Sequence, residues 1–211
     1  MRRGLVVGCL LLASCEQYKT PAAGTVTEGK VLDAAPMQPM PSFEAFCGTV
    51  KSGSCVGPWE GHPGGKSALG DYRFVVVEYP TPKDRQGPSR EVMLELRTSQ
   101  GYSYRLVGRE REGQVRSTLR VKEIIDHPDA LEVRLVSRLA PRFSYSDYYT
   151  SLFVVPRREG LAAVEIALGK IVGDINSGET KGNVGEATWD KKKVSTRGAT
   201  VADGVWEVAA R

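Results

Sequence analysis

The chain has 211 residues, 41% of them hydrophobic and 26% charged, with a formal net charge of +4. That length allows one domain with a substantial core, and a charge balance so near neutral argues against the basic stripe that a nucleic-acid partner requires. Four cysteines and two histidines leave little material for a metal or redox centre.

In chain order, Arg2 and Arg3 precede an apolar run from Gly4 to Ala13, which closes on Leu12-Ala13-Ser14-Cys15. A charged start, a short apolar run and small closing residues form a secretory signal, and the run is too short for a bilayer span of about 20 residues. The residues that should follow a twin-arginine pair are absent. Leu12-Ala13-Ser14-Cys15 resembles the lipobox of bacterial lipoproteins. The resemblance implies cleavage before Cys15, acylation of its thiol and new amino group, and an exported chain of net charge +2. Each acyl methylene buried in a membrane contributes about 0.8 kcal/mol, so the implied anchor is lipid rather than a helix. Glu16, in place of the aspartate that favours inner-membrane retention, leans the expectation toward the outer membrane of a Gram-negative envelope. The resemblance ends at Cys15 and implies nothing about the fold.

Residues 15–42 are rich in Thr, Ala, Gly and Pro, including Pro36, Pro39 and Pro41. Such a composition reads as a flexible tether, with a reach on the order of 80 Å if extended. Residues 43–211 read as a single β-rich domain. It opens on a Gly-rich loop holding Cys47 and Cys55. In an exported protein this pair is expected as a disulfide, since seven intervening residues fit neither C-x-x-C nor a zinc spacing. Gly57-Pro58-Trp59 matches the short Gly-x-Trp signature of lipocalins. Gly61 to Ser67 lacks the first glycine and the preceding strand of a phosphate loop.

From Tyr72 onward the apolar period is two. Tyr72, Phe74 and Val76 mark a well-buried strand, and Val92 to Leu96 and Tyr102 to Leu106 form a hairpin about Ser99-Gln100-Gly101. Val115 to Ile125 and Leu131 to Leu139 alternate over long spans. Their turn is Asp126-His127-Pro128-Asp129, and burial favours a register that sets Ile125 opposite Leu131. Leu152 to Val155 and Ala162 to Leu168 form another hairpin. Glu186 to Val194 and Val201 to Ala209 form a terminal strand pair. No helical period persists over three turns, and Ser146 to Val155 is the one stretch that could be a short helix. About eight short strands predict an all-β antiparallel sandwich or up-and-down barrel.

His62 and His127 both precede proline in turns, and the Asp126 to Asp129 sequence reads as a hairpin bend rather than an imidazole–carboxylate site. Asp174 to Glu179 begins like a calcium loop, but its glycine comes one place early and the closing Glu is missing. The common extracytoplasmic hydrolase motifs are absent, and no catalytic, metal or cofactor residue is assigned. Arg116, Arg120, Lys122, Arg134 and Arg138 read as a solvated outer face, with anionic head groups or an acidic glycan as the alternative. Phe143, Tyr145, Tyr148 and Tyr149 are the partner-binding candidates, because tyrosine offers both area and a hydroxyl. The expectation is a lipid-anchored, non-enzymatic binding or assembly module for an envelope protein or surface glycan. The alternative is a lipocalin-like carrier of a small apolar ligand inside a barrel.

Overall fold

The computed structural model describes residues 26–27, 31–80, 88–113 and 115–210. The signal segment and Cys15 lie outside these residues. The described elements are β1 (Val26–Thr27), β2 (Val31–Asp33), β3 (Ala35–Pro36), β4 (Gln38–Met40), α1 (Phe43–Thr49), β5 (Ser54–Pro58), β6 (Gly65–Ser67), β7 (Gly70–Tyr79), β8 (Ser89–Thr98) and β9 (Gly101–Arg111). They continue through β10 (Arg116–His127), β11 (Ala130–Ala140), β12 (Ser144–Pro156), β13 (Leu161–Asp174), β14 (Thr180–Val184), β15 (Glu186–Asp190), β16 (Lys193–Arg197) and β17 (Gly204–Ala209).

The larger sheet runs in the order β14-β13-β12-β11-β10-β9-β8-β7-β5, with β3 on β13, β4 on β9 and β6 on β7. All of these pairings are antiparallel. Between β9 and β10 the ladder is reduced to Arg111 opposite Ser117. There the sheet turns a corner, and its two halves face each other. Phe74, Val76, Val92, Leu94, Leu96 and Val107 from one half meet Leu119, Leu131, Val133, Leu135, Leu152 and Val154 from the other. Met37 and Trp59 join this core, with Trp59 set edge-on to Phe74 at 5.9 Å. The result is a sandwich-like arrangement with no closed barrel, and its interior is filled by side chains.

Alternation along the strands sends the next residues to the opposite faces. Val75, Val77, Met93 and Tyr104 pack beneath α1, where Phe46 stacks on Tyr104 at 4.0 Å. Ser42 caps this helix, its Oγ accepting from Ala45 N at 3.1 Å, and the Cys47–Cys55 disulfide ties it to β5. On the far side, Phe153, Val155, Ala162, Val164, Ile166 and Leu168 meet Trp189, Val194, Trp206 and Val208. The latter four belong to a second sheet, ordered β1-β2-β17-β16-β15. The molecule is therefore layered as helix, sheet, sheet, sheet.

Four expectations are corrected. The tether expected over residues 15–42 gives way to strand structure from Val26, where β1 pairs with β2. β2 runs parallel to β17, β3 pairs with β13 and β4 pairs with β9, while Leu32, Ala34 and Met37 are buried. Small and proline residues that look disordered in isolation fit here as a strap along sheet edges. The only described helix lies in the presumed loop at Phe43–Thr49, whereas residues 146–155 belong to strand β12. Ile125 faces Glu132 rather than Leu131, because a bulge at Lys122 shifts the register of β10 by one. Finally, short edge strands raise the count well above eight. Pro58 is accommodated because β5 is an edge strand.

Leu32→Ala should lower the free energy of unfolding in urea by about 3 kcal/mol, whereas a change within a loose tether would leave the midpoint in place. Replacing Cys47 and Cys55 together by Ala should cost about 2.5 kcal/mol in the same assay, through the entropy of the unfolded chain.

Candidate functional site

The hairpin turn that carries His127 is held on three sides. Ala68 N donates to Asp126 Oδ1 at 2.9 Å, Trp189 Nε1 donates to Asp129 Oδ1 at 2.7 Å, and His127 Nε2 lies 3.2 Å from Glu132 Oε2. Glu132 is 1% exposed, and its Oε1 also accepts from Arg134 Nε at 2.7 Å and Ser151 Oγ at 3.0 Å. A carboxylate so buried is stable only with all of these donors. The cluster fastens β10, β11 and β12 to the second sheet through Trp189. No group of His, Cys, Asp and Glu suited to a metal ion occurs among the described residues. Asp174 turns its carboxylate onto Asn176 N at 2.8 Å and Ser177 N at 3.0 Å, and these bonds hold its pKa below the ordinary value. That segment is a turn.

Two further buried acids follow the same rule. Glu95 accepts from Arg73 Nη2 at 3.0 Å and from Tyr104 OH at 2.6 Å. Burial, and then the bond to Glu95, push the Tyr104 hydroxyl pKa well up. Asp147 receives both Nε and Nη2 of Arg138 at 2.7 Å. Glu165 differs. It is 7% exposed on β13, and burial raises its pKa to about 7, against only a charge interaction with Arg105. Arg105 Nε is itself buried without a hydrogen-bond partner. Glu165 opposes Leu152 and Arg105 opposes Leu94, both members of the sandwich core, which places the pair in the sandwich interior at the edge closed by the strap.

Because the folded pKa of Glu165 lies above its unfolded value, its contribution to stability is present in full below about pH 4.5. It is lost as pH rises through about 7. The size is about 3 kcal/mol. Glu165→Gln should therefore flatten the decline in urea stability between pH 4.5 and pH 7.5. Parallel profiles for the two proteins would contradict this assignment.

The four aromatic candidates do not share one surface. Register places Tyr145 and Tyr149 on the outer face of β12, with Asp147 between them, and Tyr148 on the inner face opposite Lys170. Phe143 stands in the turn before β12, 58% exposed. Each ring carries a cation. Arg138 lies 4.4 Å from the Tyr145 centroid, Lys122 5.4 Å from Tyr149, Lys170 5.0 Å from Tyr148 and Arg142 5.4 Å from Phe143. The Tyr145 ring rests on Gly173, where a Cβ would come within 2.3 Å of it, so only glycine leaves the space.

The same outer face of β10 presents Arg116 and Arg120, and Lys122 stands at the bulge; all three are exposed and pair with no carboxylate among the described residues. Nearby acids are committed elsewhere, Glu123 to Arg134 Nη1 at 2.8 Å and Asp147 to Arg138. Arg134, expected in the same row, is neutralised by Glu132 and Glu123. The outcome is a face with Arg116 and Arg120 exposed, Lys122 over the Tyr149 ring and the ion-paired Arg138 over the Tyr145 ring, with about 0.5–1 kcal/mol in each exposed cation–ring contact. Sequence reasoning found its members separately. It missed the buried acids Glu95, Glu132, Asp147 and Glu165, whose signal was only a charged residue alternating with apolar ones in strands otherwise buried on both sides. A search for matching family models, curated proteins and solved structures returns no match for this chain.

Proposed function

We propose that the chain is an exported protein, lipid-anchored through Cys15 with the outer membrane favoured, and that it acts as a non-enzymatic binding or assembly module of the cell envelope. Its docking face is the outer surface of β10–β12, and its partner is an envelope protein or a surface polymer. The observation that carries this reading is the row of Arg116, Arg120 and Lys122, without a carboxylate partner among the described residues, beside Arg138-Tyr145 and Tyr149 on one face. Lys122, already held over the Tyr149 ring, loses little freedom on binding, and the exposed Arg116 and Arg120 add charge, which favours recognition of a negatively charged partner. The lipobox-like Leu12-Ala13-Ser14-Cys15 supports the anchor. The carrier alternative has weaker support, because the space between the facing sheet halves is occupied by Trp59, Phe74, Leu94, Leu131 and Leu152.

Cys15→Ser should move the protein from the membrane fraction to the soluble fraction of cells. A photo-crosslinking residue at position 120 should yield a discrete adduct in intact cells, and Arg120→Glu with Lys122→Glu should lower capture of that partner by about tenfold or more. Undiminished capture by the charge-reversed protein would remove the face from the proposal. Membrane retention of the Cys15→Ser protein would remove the anchor.

A further inference from the structure

Large apolar side chains left in solvent are not spread evenly over the molecule. Of the six exposed ones among the described residues, Val115 (45%), Phe143 (58%), Val172 (40%) and Ile175 (58%) gather at one end. The sheet register brings them there. Arg116 opposes Ala140, so Val115 stands just beyond the first rung of β10–β11. Ser144 opposes Asp174, so Phe143 and Ile175 stand just beyond the last rung of β12–β13, joined by Ile175 N donating to Phe143 O at 3.0 Å. Val172 stands two rungs inward of the Ser144–Asp174 rung, opposite Ser146. Three side chains from three separate connections and one from β13 thus form one apolar tip.

Around the tip is a collar of rings and cations. Tyr145 lies under Arg138, Tyr148 under Lys170, and Arg142 stands over Phe143 itself. Cations and rings begin at the tip itself, with Arg116 beside Val115, Arg142 over Phe143, and Tyr145 one rung nearer the end than Val172. An end that mixes exposed aliphatic groups with tyrosine and basic side chains fits a lipid interface, where aliphatic groups enter the acyl boundary and tyrosine and long basic side chains reach head-group level. The acids at this end add little repulsion. Asp174 is folded onto its own turn, leaving Glu112 and Glu179 against Arg116, Arg142, Lys170 and Lys181.

The chain enters the domain at the other end. Val31 pairs with Glu207, which opposes Lys193, next to the hairpin whose Trp189 binds Asp129. Eight residues of β12 separate Tyr145 from Phe153, which stacks on that tryptophan, a distance of about 26 Å at 3.3 Å per residue. Val26 and Thr27 pair with β2, and residues 16–25 before them can span at most about 35 Å, enough to return along the sheet. With Cys15 acylated, tip and anchor can therefore reach the same bilayer.

We propose that the tip formed by Val115, Phe143, Val172 and Ile175 seats in the interfacial zone of a phospholipid bilayer, holding the domain end-on with the outer face of β10–β12 free for its partner. The four apolar tip residues lie outside the docking face above, with Arg116 and the Arg138–Tyr145 pair at the boundary between the two, and the proposal does not require the lipid anchor.

The test uses residues 16–211, which keep every described element and lack both the signal and the acylated cysteine. The protein is sedimented with vesicles of phosphatidylethanolamine and phosphatidylglycerol. The expected result is co-sedimentation that falls about tenfold or more in Phe143→Asp/Ile175→Asp, at an unchanged thermal midpoint, and stays within about twofold of the parent in Arg120→Glu/Lys122→Glu. Three results would overturn the proposal. One is a parent protein that stays in solution, and a second is a tip variant that sediments like the parent. The third is loss in the charge-reversed variant alone, which would mean adsorption through the docking face. If the tip variant loses an envelope protein partner and the parent ignores vesicles, the tip belongs to that protein and the bilayer is excluded. Failure here would leave the crosslink at position 120 unaffected, so the two readings can fail separately.

Discussion

Strands β12 and β13 are apolar on both faces, and the rest of the molecule is arranged to cover them. Leu152 and Val154 look toward one core, Phe153 and Val155 toward another, and Leu161 to Leu168 repeats the pattern. A single sandwich would leave one of these faces in water, at about 25 cal/mol for each Å² exposed. The folded-over half of the large sheet covers one side and the C-terminal sheet covers the other. The tryptophans of the terminal strands are the covering groups, Trp189 stacked on Phe153 at 5.6 Å and Trp206 buried in the same cluster.

Covering a slab on both sides leaves its polar residues without water, and this explains the ionic architecture. Glu132, Glu95 and Asp147 each sit against an arginine and at least one further donor or stacked ring. Glu165 with Arg105 is the exception, a pair coupled by charge with no hydrogen bond between them, and it is where the fold responds to pH. It lies beside the strap that joins β13 to β9. The same ends of the strands that escape covering, residues 115–122 and 138–149, expose the cations, rings and apolar tip on which the functional proposals rest. Function is assigned to the part of the slab that the other layers do not reach.

The sequence by itself determined the all-β class, the long hairpins, the turn at Ser99-Gln100-Gly101 and the Cys47–Cys55 bridge. These follow from local chemistry: period-two burial, glycine at φ 118 in Gly101, and two thiols close in the chain. Only the tertiary structure decided the strap, the corner between β9 and β10, the register of β10 with β11 and the separation of the four aromatics onto different surfaces. A bulge at Lys122 reverses every side chain beyond it, and alternation read along one strand carries no mark of where such a residue stands. Residues 31–40 look like linker because only Leu32, Ala34 and Met37 become buried, and they do so against strands more than 60 residues away in the chain. Long-range pairing of that kind is a property of the folded sheet and not of the segment.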